Sequence, residues 1–251
     1  MGMQKKELHS SILDVSAEQI GKYVLLPGDP ARVPVLASYF ENVHKVSEKW
    51  THVTCTGTLE GQKVSVVSTG MGCPAMAATL EELIRLGAHT FIRVGTSGTI
   101  QRKTDPSHLI VTWAAARDER TSLRYQAMSF PAVGDIDVTT ALMNAADELA
   151  YGYRVGISQS KDAFYGEHDP LRMIAAHALL QKQKTFERSG MLCSEMEVST
   201  LFVISSVRNV RAGGIMMLGG SKPQTLEKIS KVCSHALELL IRWDKETQEV
   251  K

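Results

Sequence analysis

Short apolar runs punctuate the chain at 23–27 (YVLLP), 63–69 (KVSVVST), 90–94 (TFIRV), 108–112 (HLIVT) and 214–218 (GIMML). Each has the length of a strand and too little alternation to leave one face in water, which predicts a central sheet covered on both sides. Between the runs the apolar period lengthens to that of a helix. Over Pro74–Leu86 a proline opens the segment, Met76, Leu80, Leu83 and Ile84 share a face, and Gly87 follows the end. From about Thr225, the residues Leu226, Ile229, Cys233, Ala236, Leu240 and Trp243 recur at three-four spacing, a packing stripe that precedes the charged tail DKETQEVK. The stretch THVTCTGTLEGQKVSVVSTG breaks the alternation of strand and helix, because two β-rich runs meet through Glu60-Gly61 as in a hairpin. The sheet is therefore expected to be mixed. No repeat or low-complexity linker divides the chain, so the expectation is one α/β domain over residues 1–251, a mixed central sheet flanked by helices.

Charge and composition mainly exclude. Lys and Arg number 28 against 27 Asp and Glu, with no basic run, which leaves no nucleic-acid or anionic-membrane surface to expect and points to small-molecule or protein partners. The first residues, MGMQKKELHSSILDVS, lack a signal-peptide core, and no segment is long and apolar enough to span a bilayer, so a cytoplasmic location is expected. Cys55, Cys73, Cys193 and Cys233 are scattered, and the eight histidines are dispersed; neither a zinc site nor a disulfide framework is expected, and the cysteines read as small buried hydrophobes.

In open α/β sheets ligands sit beyond the carboxyl ends of the strands, so the residues after each run carry the functional reading. After YVLL comes PGDPARV, in which Gly28 permits close approach of the backbone and Arg32 offers a two-donor grip on an anion at a helix start. After VSVVS comes TGMGCPAM, two glycines before a helix. In the third stretch, RVGTSGT, Arg93 is a charge inside an apolar run, followed by Gly95, Thr96, Ser97 and Gly98. A buried arginine must be paired or hold an anion. Two arginines and a threonine at adjacent strand ends suggest a phosphate. The fourth stretch, CSEMEVSTL at 193–201, opens an apolar segment with Glu195 and Glu197, compatible with an acid/base pair, a structural cap or a sugar clamp.

PGDPARV, STGMGCP, FIRVGTSG, FPAVGDIDVTTAL, KDAFYGEH and SEMEVSTLF, in this order and spacing, resemble the nucleoside phosphorylases of the trimeric or hexameric type, most closely the uridine phosphorylases. The resemblance runs from about His9 to the last helix. It implies reversible phosphorolysis of a nucleoside to free base and ribose 1-phosphate, with inorganic phosphate as co-substrate and neither metal nor organic cofactor. By the family pattern Gly28, Arg32, Arg93 and Thr96 hold phosphate, while Glu197, the Met196 backbone and Thr96 hold the ribose. His9 serves the ribose of a neighbouring subunit's site, and Phe164 packs on the base with Ser97 and Gly98 beside it. A homodimer unit with sites at its interface, assembled into a hexamer, is implied.

The sequence departs from the family in three places. Trp50 stands where uridine phosphorylases commonly donate a third phosphate arginine to the adjacent subunit, and Lys49 beside it lacks the bidentate fork. Thr51 and Ala75 stand where relatives that hold a monovalent cation carry Glu and Ser, so no such ion is expected. Many relatives read uracil with Gln and Arg; here Lys161, Asp162, Phe164, Tyr165, Gly166 and His168 match a subgroup pattern in which Lys161 and His168 donate to the uracil carbonyls. The last loop reads GGSKPQ, with Lys222 where an arginine binds a base carbonyl and no aspartate to protonate a purine. A purine nucleoside phosphorylase, a nucleoside hydrolase and a non-catalytic nucleoside- or phosphate-binding protein are the alternatives. A glycosidase is disfavoured, because its carboxyls must stand ~5–9.5 Å apart across a sugar. Glu197 is accordingly assigned to the ribose, and Glu195 to capping a helix over Met196–Val207 or to orienting Arg93.

Overall fold

The computed structural model describes residues 8–101, 103–220 and 222–249. Its strands are β1 (His9–Ser10), β2 (Val15–Ser16), β3 (Tyr23–Pro27), β4 (Glu41–Lys49), β5 (His52–Leu59), β6 (Gln62–Val67), β7 (Thr90–Thr99), β8 (Leu109–Asp118), β9 (Tyr153–Lys161), β10 (Cys193–Glu195) and β11 (Arg211–Leu218). The α-helices are α1 (Val33–Ala37), α2 (Cys73–Arg85), α3 (Ile136–Glu148), α4 (Phe164–His168), α5 (Ala176–Arg188), α6 (Val198–Val207) and α7 (Pro223–Glu249). β1 and β2 form a separate ribbon, and the other nine strands form one sheet in the order β10-β9-β8-β11-β7-β3-β6-β5-β4.

The sheet is mixed, as expected. β3, β6, β7 and β11 run parallel, whereas β4, β5 and β6 form an antiparallel meander and β8 is antiparallel to β11. Glu60 and Gly61 turn the predicted hairpin with φ of 48° and 70°, the left-handed pair that a tight two-residue connection demands.

Side-chain alternation assigns the two faces. In β3, Tyr23 and Leu25 join the core under α1, α3 and α7, while Val24 and Leu26 join the core under α2 and α6. In β7, Ile92 and Val94 take the first face and Phe91 the second, which carries Arg93 by the period of two toward α2 and α6. Phe91 and Phe202, both fully buried in this second core, each contribute about 1.5–3 kcal/mol by leaving water.

Two boundaries correct the sequence reading, and both bear on function. The stretch after TFIRV is not a loop: β7 continues to Thr99, so Thr96, Ser97 and Gly98 lie on the same strand as Arg93. Strand geometry persists through these glycines and hydroxyls because β11 pairs as far as Ser97 and β10 then supplies a partner, Cys193 opposite Thr99 and Ser194 opposite Gly98. β10 also pairs with β9 on its other side, so β7, β11, β8, β9 and β10 close into a ring. The second correction is that the helix expected from Met196 begins at Val198, since Cys193–Glu195 is held as strand. Among the described residues no helix is long and apolar enough to cross a membrane.

Candidate active site

A cavity of about 700 Å³ opens where β3, β7, β9 and β10 end, a size suited to a small organic ligand. Gly28, Arg32, Arg93, Thr96, Ser97, Gly98, Lys161, Phe164, His168, Met196 and Glu197 all line it, although they come from four separate stretches of chain.

At its floor Arg93 meets Glu197, Nη2 to Oε2 at 2.6 Å, with both side chains about one-twentieth exposed. Nη1 of Arg93 donates to the Leu26 carbonyl at 3.2 Å and to Thr69 Oγ1 at 3.3 Å. The other oxygen of Glu197 accepts the Gly72 N–H at 2.7 Å. Gly72 caps the start of α2 at φ 91°, a conformation that favours glycine, and the positive end of that helix suits a carboxylate. Gly28 brings the backbone close to the arginine: a Cβ there would lie 3.1 Å from Arg93 Nη2 and from the Gly70 carbonyl, so a side chain would press on both.

Arg32 reaches the same end of the cavity from the turn Pro30–Arg32, which Asp29 caps by accepting the Ala31 N–H at 2.9 Å. Its Nε lies 3.9 Å from Asp29 and makes no hydrogen bond; the Nε of Arg93 is likewise buried without a partner. Burial depresses the pKa of Arg32, Asp29 and Glu197 oppose that, and the charge of Arg93 adds to it. Two neighbouring guanidiniums with spare donors form a site for an oxyanion.

The far end is built differently. Lys161, last residue of β9, is buried and donates to Ser194 Oγ at 2.6 Å, and burial holds its amine below the ordinary lysine range. Phe164 and His168 lie four residues apart on α4 with ring centroids 4.1 Å apart. Burial, and then the charge of Lys161, depress the His168 pKa. His168 Cε1 is 3.5 Å from where a Cβ of Gly98 would stand, and from Arg93 to Gly98 β7 advances roughly 16 Å at ~3.3 Å per residue. The cavity thus has an anion-binding end and an aromatic, hydrogen-bond-donating end, with the carboxylate of Glu197 beside the first.

Glu195 has the structural part. It is buried, and its carboxylate accepts the N–H groups of Glu197 at 2.6 Å and Val198 at 2.8 Å, Ser158 Oγ at 3.2 Å and Ser160 Oγ. It caps α6 and makes no contact with Arg93, which settles the two roles left open by the sequence. The Cys193 thiol behind it is pushed up to about 12 by burial, and burial raises Cys73 as well, so neither cysteine supplies a thiolate nucleophile. Cys73, Glu119 and Asp162 bring ligand atoms within 4.8 Å of one another. The thiol donates to the Met196 carbonyl and Glu119 accepts from Ser122 and Ser199, so their capacity is committed to the protein.

Four residues singled out in the sequence, His9, Lys222, Trp50 and Lys49, are not among those lining this cavity. His9 is exposed on the β1–β2 ribbon, 3.5 Å from Asp14. Lys222 leads into α7, its carbonyl accepting the Leu226 N–H, and its side chain is exposed. At the β4–β5 turn Trp50 is 80% exposed with φ 54°, and Lys49 donates to the Ser11 carbonyl at 2.7 Å. Thr51, Met71, Ser194 and Gly219 also line the cavity without having been assigned to it. Ser194 gave no sequence signal of its own, since a three-residue strand is too short to show a period.

Comparison with known proteins gives one family and several relatives. The phosphorylase superfamily matches residues 22–246. A uridine phosphorylase from Treponema pallidum is 43% identical over 92% of this chain and 89% of its own length. One from Thermococcus kodakarensis is 35% identical over 91% and 86%. A guanosine phosphorylase from Halorubrum lacusprofundi is 32% identical over 82% and 81%.

Proposed function

Since the chain belongs to the phosphorylase superfamily, we propose that it is a pentosyltransferase that cleaves uridine with inorganic phosphate, giving uracil and ribose 1-phosphate without a metal or organic cofactor. The observation that carries this reading is the pairing of buried Arg93 with Glu197 beside Arg32, at the opposite end of one cavity from Lys161, Phe164 and His168. Phosphate is held by Arg32, Arg93, Thr96 and the Gly28 backbone, and its oxygen attacks C1′ as the bond to the base breaks. The arginines orient the nucleophile and leave its negative charge facing the cationic sugar of the transition state. Glu197 and the Met196 backbone hold the ribose hydroxyls. A carboxylate has about four acceptor positions, so the two donors on Glu197 leave capacity for the sugar. The electron pair departs with the base, whose carbonyls receive hydrogen bonds from Lys161 and His168 while Phe164, Ser97 and Gly98 bound the ring.

His9 and the exposed Trp50 and Met71 serve a dimer interface in this reading, His9 completing the neighbour's site and dimers assembling into a hexamer. Four free, buried cysteines agree with a reducing, cytoplasmic location.

The test is base release from uridine, thymidine, inosine, guanosine and adenosine with and without phosphate. Phosphate-dependent release of uracil is expected. Release without phosphate would assign a hydrolase, and binding without release a non-catalytic protein. Lys161→Ala and His168→Ala are each expected to lower kcat for uridine on the order of a hundredfold, the usual share of a group that stabilises a leaving base. Unchanged kcat in both would move the base elsewhere.

A further inference from the structure

Two of the residues assigned to the base, Phe164 and His168, stand on a helix too short to hold itself. α4 has five residues, well under the length at which an isolated helix persists, and Tyr165 on it is 61% exposed. Its seat is fixed by side chains outside the cavity. Glu167, between Phe164 and His168, accepts Gln159 Nε2 at 2.9 Å on one carboxylate oxygen and Gln183 Nε2 at 3.3 Å on the other. Gln183 Nε2 also donates to the Glu167 carbonyl at 2.7 Å. Gln159 is 1% exposed and shares its amide nitrogen between Glu167 and Asp118, the second at 2.7 Å, while Asp118 pairs with Lys182 of α5. Gln159 and Lys161 occupy one face of β9, Ser158 and Ser160 the other, where both serines reach Glu195. The residue that anchors α4 is therefore the strand neighbour of the lysine at the base end.

We propose that Glu167 is a positioning residue for nucleoside recognition: through Gln159 and Gln183 it ties the Phe164–His168 segment to β9 and α5 and sets where that segment meets the base. The inference rests on the reading of the cavity above and adds a residue to it. A buried amide whose two hydrogens go to two carboxylates fixes distance and direction, as supporting shells of binding sites do.

Steady-state kinetics of the full chain test it. Glu167→Ala is expected to raise KM for the nucleoside about tenfold, with KM for phosphate within about twofold of wild type, because the tether serves one end of the cavity only. Glu167→Gln is expected to stay within about threefold, since its carbonyl accepts Gln159 while the backbone carbonyl keeps Gln183. That comparison separates tether from charge: if Glu167→Gln is as impaired as Glu167→Ala, the positioning role fails. It fails too if the alanine variant keeps its nucleoside KM, or if both KM values rise together. Should Glu167→Ala not fold, Gln183→Ala releases the α5 link from a half-buried position, and an unchanged nucleoside KM there overturns the proposal. Wild-type uracil release reads the uridine assignment by itself, and the ratio of variant to wild-type KM is taken on whichever nucleoside the wild type cleaves.

Discussion

Glu197→Gln is expected to lower kcat/KM for uridine by about a hundredfold or more, a loss of roughly 3 kcal/mol of transition-state stabilisation, comparable to removing one preorganised electrostatic contact. The substitution is isosteric but changes the donor inventory. The carboxylate accepts Gly72 N–H and Arg93 Nη2 together. A carboxamide accepts through one oxygen and presents an NH2 with the other arm, so either the glycine N–H or the arginine faces a donor. Arg93 is then a buried cation without its partner, and breaking such a pair costs about 3–5 kcal/mol. Bound phosphate restores a counter-charge to Arg93, so added phosphate is expected to raise the Tm of Glu197→Gln more than that of wild type. Kinetics on uridine and thermal melts with and without phosphate check both statements. Wild-type kcat/KM in the variant would remove Glu197 from the ribose.

Glu195 separates fold from chemistry. Glu195→Leu strips acceptors from the Glu197 and Val198 N–H groups and from two serine hydroxyls, all in a dry environment. With unsatisfied buried donors at about 1–3 kcal/mol each and partial relaxation, a loss of about 3 kcal/mol or more follows, roughly 6–12 °C in Tm for a chain of this size. Glu195→Gln keeps an oxygen for the two N–H groups and turns its NH2 to the serines, which accept; it should fold nearly as well and retain kcat within a few-fold. A hundredfold fall in kcat for that glutamine variant, with its Tm intact, would instead make Glu195 the acid or base of the reaction.

The same two glutamates show what was legible in the sequence. The strand runs, the Glu60-Gly61 hairpin and the α2 and α7 stripes are local patterns, and local patterns survive in one dimension. Arg93 stood out because a charge in an apolar run violates its surroundings. That Glu197 was its partner required knowing that β7 and the start of α6 meet, a contact spanning 104 residues. The strand was ended too early, at Val94, because glycine and hydroxyl residues are ordinary loop formers unless a partner strand is present, and β10 is three residues long, too short to announce itself. Gln159, Gln183 and Asp118 were not legible, since long-range pairing of amide and carboxylate leaves no periodic trace. His9, Lys222 and Trp50 entered through family resemblance, and within a single chain they stand apart from the cavity.

The closing of the ring by β10 divides this cavity into parts of unequal permanence. Arg93 sits on backbone paired with β3 and β11, Thr96 on backbone paired with β11, and Glu197 just after β10, which pairs with β7 and β9, so moving any one of them means disturbing the sheet. Phe164 and His168 are carried on a segment joined to the rest by a few side-chain bonds, which single substitutions can rewrite. Substitution can therefore act on the two halves separately, leaving the Arg93–Glu197 end fixed with the scaffold while the Phe164–His168 end changes at little cost to folding.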